Sequence, residues 1–159
     1  STLVDVAKRA EVGRATVYRQ FKHKEALQEE IALYYLDRFD EVNMSVENKA
    51  KDSLDAIRLV FENTLPLYEE FAFLQKFEKM FQKSEKLQVR MQQQDNEIRE
   101  LIKLAKDEGL LSKHFCVDWG FYFFEGLLYA GYKMSHLDNY SSGKAAHLAF
   151  LSFKSGVAS

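Results

Sequence analysis

Apolar residues recur at three- and four-residue spacing along nearly the whole chain. Val, Ile and Thr never gather into alternating runs, and glycine and proline are sparse. The pattern predicts an all-α fold. Leu27, Ile31, Tyr34, Tyr35, Phe39 and Val42 mark one face of a helix over about 24–44. From Ser53, residues Leu54, Ile57, Val60, Phe61 and Leu65 mark another amphipathic helix, which Pro66 should end or kink. Phe71, Leu74, Phe77 and Phe81 continue on a third. Ser84 then reads as the N-cap of a long helix running to Glu108, with Gly109 as its stop. Residues 117–136 are apolar around most of the circumference, as a helix covered on several sides would be. Asp138 to Gly143 reads as a loop, and a last helix over about 144–154 carries Ala145, Leu148, Leu151 and Phe153 before Gly156. Ahead of all these, Thr2 and Asp5 form a capping-box pattern that starts a short helix to about Arg9. A second short helix follows from about Arg14 to Gln20 after a tight turn.

Charge divides the chain unevenly. Residues 1–24 hold six basic and two acidic residues, a net of plus four, and the remainder holds sixteen basic and twenty-two acidic, a net of minus six. A basic head on an acidic body fits a polyanion bound at the head, against the plainer reading of a solvated basic face. With 47% hydrophobic and 29% charged residues, the chain falls among ordinary globular proteins and not disordered or fibrous ones. The single Cys116 cannot form an internal disulfide and the four histidines show no paired ligand spacing, so no disulfide framework, metal or cofactor is expected. The opening residues lack the apolar run of an export signal. The longest apolar stretch, Trp119 to Met134, is short for a span and carries Glu125 and Lys133. A cytoplasmic protein with no membrane partner is expected.

The two short N-terminal helices carry the functional argument. Ala7, Ala10, Val12 and Val17 suit a close crossing, which leaves the second helix a polar face. From that face Arg14 can read guanine with two hydrogen bonds, Thr16 and Tyr18 can meet phosphate or a thymine methyl, and Gln20 can bond adenine or backbone, with Ala15 beside them. Thr2 and Lys24 fall at helix N-termini, where backbone amides favour phosphate. The whole run T-L-V-D-V-A-K-R-A-E-V-G-R-A-T-V-Y-R-Q-F-K-H-K-E-A-L, residues 2–27, closely resembles the helix-turn-helix signature of the TetR family of repressors. The resemblance implies that Val12, Val17 and Phe21 are core positions. It also implies that Thr2, Arg14, Ala15, Thr16, Tyr18, Arg19, Gln20 and Lys24 approach DNA. The match opens at what would be the family's second helix, Glu11 replaces the usual turn glycine, and Gly13 and His23 stand where Ser, Thr or Asn would cap the next helices. The LacI family shares a similar pattern, but its body would need alternating strands and helices.

The resemblance divides the chain into a helix-turn-helix DNA-binding module with its connecting helix, 1–44, and a helical ligand-binding and dimerisation domain, 45–159. In the second, Phe61, Tyr68, Phe77, Phe81, Met91, Trp119, Tyr122, Phe123 and Tyr129 are candidate walls for a small apolar or aromatic ligand, weighed against plain core packing. Glu125, a carboxylate in an apolar helix, needs a partner, water or a cationic ligand. The segment 117–136 and the last helix are expected to pair with their copies in a two-fold homodimer, which would space two recognition helices to read a palindromic double-stranded operator. An enzyme is not expected, because no nucleophile–base pair, phosphate loop or metal cluster is present, and His114, Cys116 and Asp118 are the nearest constellation. A helical protein–protein interaction module without specific DNA binding is the alternative.

Overall fold

The computed structural model describes residues 14–67, 72, 76, 78–137 and 140–158. Seven α-helices lie among them: α1 Arg14–Asn43, α2 Val46–Lys49, α3 Ser53–Thr64, α4 Glu78–Lys83, α5 Glu85–Asp107, α6 Val117–Ser135 and α7 Ser142–Val157. A 3₁₀ turn, Leu65–Leu67, follows α3. The described residues contain no strand, and extended backbone pairs only at the isolated bridge between Leu111 and Ala158.

The helix ends follow local chemistry. The Asp52 side chain accepts the Asp55 amide proton at 2.8 Å and opens α3, and α3 stops at Thr64 because Pro66 has no amide proton to continue it. Ser84 caps α5 by accepting from the Leu87 amide at 3.3 Å. At the far end Gly109 takes φ +78°, its amide donates to the Lys106 carbonyl at 3.0 Å, and that of Leu110 donates to the Ala105 carbonyl at 2.9 Å. These two bonds close the helix as a Schellman motif, and the left-handed residue that it needs is the glycine. Ser141 caps α7 by accepting from the Lys144 amide at 3.2 Å.

Two expectations are corrected. The separate helices over 14–20 and 24–44 are one rod, Arg14–Asn43, and His23 caps nothing. Phe21, Lys22 and His23 include no Gly, Pro or strong cap that would break the helix. The buried face of this rod is Ala32, Leu36 and Phe39, while Leu27 and Tyr34 are exposed. The last helix also runs past Lys154 and through Gly156 to Val157. The capping box at Thr2 and Asp5, and Phe71, Leu74 and Phe77, lie outside the described residues.

Two apolar clusters organise the packing. The larger joins α3, α5, α6 and α7 around Phe61, which is fully buried, with its ring centroid 4.6 Å from that of Phe124 and 6.3 Å from that of Phe153. Small residues permit close approach: Ala145, Ala146 and Ala149 are all buried on α7. The smaller cluster gathers Ala32, Leu36 and Phe39 of α1 with Leu67, Phe81 and Leu87. A single polar seam ties the α3 start to the α5 end, where the Ser53 hydroxyl donates to Glu108 Oε1 at 2.6 Å and its amide donates to Oε2 at 3.2 Å.

Candidate functional site

The N-terminal half of α1 stands clear of both clusters. Tyr18, Arg19, Gln20 and Lys24 are exposed and Thr16 is half-buried. On an unbroken helix Thr16, Gln20 and Lys24 repeat every fourth residue and share one stripe, while Arg19 falls on another. Arg14 and Ala15 form the first turn of the same helix, and Thr2 lies outside the described residues. Phe21, expected in the core, is 47% exposed, and none of the described helices of the body covers this half of the rod.

The other end of α1 forms a wall of a cavity of about 620 Å³. The cavity opens at the junction of the two apolar clusters. Leu36 and Phe39 on α1, Phe81 on α4 and Met91 on α5 face it from one side, and Val60, Ile98, Phe121, Phe124 and Leu128 from the other. Its polar lining is largely acidic: Asp40, Glu78, Asp95, Glu97 and Glu125 take part together with Asn43, Thr64 and Gln94.

Polar side chains fasten the cavity end of α1 to its neighbours. From α5, the Gln94 amide donates to the Leu36 carbonyl at 2.9 Å and to Asp40 Oδ1 at 3.1 Å. Arg90 pairs with Asp37 at 2.6 Å and also with Asp40. From α3, Asn63 donates to the Val42 carbonyl at 3.1 Å, and Asn43 donates in return to Thr64 Oγ1 at 3.2 Å. Arg90 and its partners are partly exposed, so this pairing fixes geometry more than it adds stability.

Burial raises the proton affinity of Asp95, Glu97 and Glu125 in this lining. The Asp95 carboxyl sits above the usual carboxylate range because it is removed from water, an effect that the Arg99 charge partly offsets. Glu97 is raised by burial first and then by the charges of Asp40 and Glu47. Glu125 is raised by burial first and then by Asp95, with Arg99 again opposing. Arg99 itself is engaged: its guanidinium lies 4.0 Å over the Phe121 ring and its Nε donates to Asp118 at 3.1 Å.

Of the residues expected to line a pocket, Phe81, Met91, Tyr122, Glu125 and Tyr129 meet at this cavity. Three fall elsewhere. Phe61 is buried in the centre of the larger cluster, Trp119 is 56% exposed, and Phe123 stacks on Phe153 at 5.8 Å. Tyr68 and Phe77 lie outside the described residues. Asp40, Asn43, Thr64, Glu78, Gln94, Asp95 and Glu97 were missed, although a signal for two of them exists. Leu87, Met91, Ile98, Leu101, Ile102 and Ala105 set the inward spacing of α5, and Gln94 and Asp95 interrupt it where apolar residues belong. Neither a cluster that could hold a metal ion nor a helix long and apolar enough to cross a membrane occurs among the described residues.

Residues 1–31 match the family model of bacterial regulatory proteins, tetR family. No curated protein sequence matches the chain. Among solved structures, the ketosteroid transcriptional regulator KstR2 of Mycobacterium tuberculosis superposes with a TM-score of 0.77 at 14% identity, covering 100% of this chain and 85% of its own. The TetR-like regulator LfrR from Mycobacterium smegmatis, in complex with proflavine, gives a TM-score of 0.66 at 22% identity over 96% of this chain and 82% of its own. PfmR, a TetR family regulator from Thermus thermophilus, gives 0.64 at 16% identity over 96% and 85%. The fold is thus that of TetR-family regulators, and with the N-terminal match it supports a DNA-binding transcriptional regulator.

Proposed function

We propose that this chain, a TetR-type N-terminal segment joined to the fold of that family's regulators, is a cytoplasmic repressor released from a palindromic operator by a small apolar or aromatic ligand. Residues 1–44 form the DNA-binding module and 45–159 the ligand-binding and dimerisation domain. Thr2, Arg14, Ala15, Thr16, Tyr18, Arg19, Gln20 and Lys24 contact DNA. One observation carries the reading: a single helix, α1, holds the exposed Tyr18–Lys24 stretch at one end and the cavity wall Leu36–Asn43 at the other. A ligand that prefers one setting of this helix therefore changes DNA affinity by the coupling free energy between the two sites. That LfrR was solved with proflavine supports a small molecule as the occupant of such a fold. Two copies pair through α6 and α7, whose exposed Trp119, Leu148 and Leu151 would otherwise face water.

The test is fluorescence anisotropy on DNA flanking the protein's own gene, against random competitor, at several salt concentrations. Competitor-resistant binding that weakens steeply with salt is expected; affinity no better than for random DNA would overturn the proposal. Arg14→Ala should relax sequence preference, whereas Lys24→Ala should weaken all DNA about equally.

A further inference from the structure

The cavity combines a volume of about 620 Å³ with aromatic walls and a one-signed polar lining. Five carboxylates, Asp40, Glu78, Asp95, Glu97 and Glu125, line it, and its described lining includes no Lys, Arg or His. The two nearby guanidinium groups are committed elsewhere, Arg90 to Asp37 and Asp40, and Arg99 to Asp118 and the Phe121 ring. Among the described residues Asp40 is the one of the five that is ion-paired, while Arg99 acts at longer range on Asp95 and Glu125 and Arg90 on Glu97. Asp95 is half-buried and Glu78, Glu97 and Glu125 are exposed, so an otherwise apolar space carries negative charge that solvent reaches, which favours a cation over an anion there.

Resting on the reading of this cavity as the effector site, we propose that it selects flat organic cations. The aromatic plane lies among Phe39, Phe81 and Tyr122, with the positive charge against Asp95 and Glu125. Aromatic faces attract a delocalised or quaternary cation in their own right, and the two carboxylates supply the sign. The proton affinities of Asp95 and Glu125 are raised first by burial, which the charge of Arg99 only partly offsets, and a bound cation would add to that offset.

Binding to the full-length protein without DNA is measured by the anisotropy of ethidium, a flat aromatic cation. The fluorescence of anilinonaphthalene sulfonate, an aromatic anion, is the comparator. Both are read at roughly 0.3 M salt, where the Debye length of about 5–6 Å screens exposed charges. Wild type is expected to hold ethidium at least tenfold more tightly than the anion. Asp95→Asn with Glu125→Gln should cut ethidium affinity tenfold or more and leave the anion unchanged or better bound. Glu100→Gln, an exposed charge outside the cavity, should change neither. Equal affinity for both dyes, or an ethidium affinity that the double variant leaves intact, overturns the proposal; matched circular dichroism spectra establish that the variants fold. Operator binding is read separately without dye, so loss of DNA binding with cation selectivity retained refutes the regulator reading alone.

Discussion

Replacing Gly131 by alanine tests how closely α6 is seated on the turn that follows α3. A Cβ built at Gly131 comes within 2.9 and 3.1 Å of the two Leu65 methyl groups, and Leu65 is itself only 2% exposed. Either α6 or the 3₁₀ turn must then move, at the cost of overpacking a closed core, about 1–3 kcal/mol. The same substitution removes a glycine from a helix interior, a gain of about 1 kcal/mol. Gly126 supplies the correction for that gain. It lies five residues earlier on the same helix, with nothing within 4 Å of a built Cβ, so Gly126→Ala has the propensity gain without the clash. The difference between the two variants therefore isolates the steric cost, about 1–3 kcal/mol. For a chain of this length each kcal/mol moves the melting midpoint by about 2–4 °C. In urea and thermal unfolding at fixed protein concentration, Gly126→Ala should raise the midpoint, and Gly131→Ala should melt several degrees below it. Equal shifts in the two variants would refute the close packing of Leu65 on α6.

Two further outcomes follow from the core and the acidic lining. Phe61→Ala, which empties the centre of the larger cluster, should cost about 3–5 kcal/mol in urea unfolding with little change in slope; a loss below about 1 kcal/mol would show that the ring is not the keystone of that cluster. Asp95 and Glu125 bind protons more tightly in the folded chain than in the unfolded one, so each contributes relative stability as pH falls towards the carboxylate range and takes it away as pH rises again. The urea midpoint of Asp95→Asn, compared with wild type as pH is lowered from neutrality into the carboxylate range, should lack part of this rise. Parallel profiles would place Asp95 in water.

Much of the fold was readable because its stops are chemical. Pro66, the Ser84 cap and the Gly109 turn each act through a backbone group within a few residues, and each stands where the sequence puts it. The unbroken α1 was not readable in the same way. A boundary between Gln20 and Lys24 follows from the start of the apolar stripe at Leu27, while residues 20–24 themselves offer nothing that ends a helix. At the cavity, Phe81, Met91, Tyr122 and Tyr129 were legible as aromatic or flexible side chains at core spacing. Glu125 was legible too, as a carboxylate in an apolar helix, whereas Asp40, Glu78 and Glu97 were not, because an acidic residue on an amphipathic helix is ordinarily a solvated one. Only the third dimension brings Asp40 of α1, Asp95 of α5 and Glu125 of α6 around one space.

The continuity of α1 also has a mechanical meaning. Its 30 residues make a bar about 45 Å long. In the proposed release by ligand, the hydrogen bonds of Asn43 and Asn63 would serve as its pivot, against the ties that Gln94 and Arg90 make to Leu36, Asp37 and Asp40. Measured from Asn43, Leu36 lies about 10 Å along the axis and Gln20 about 35 Å, so the bar gears displacement up roughly threefold. On the proposed reading, an ångström of swelling beside Leu36 would become about 3 Å at Gln20, beyond the few tenths of an ångström that a hydrogen bond to DNA tolerates. A joint at His23 would take up that travel, whereas a seamless bar delivers it. In a two-fold pair the arms swing in opposite senses, which doubles the change in their span.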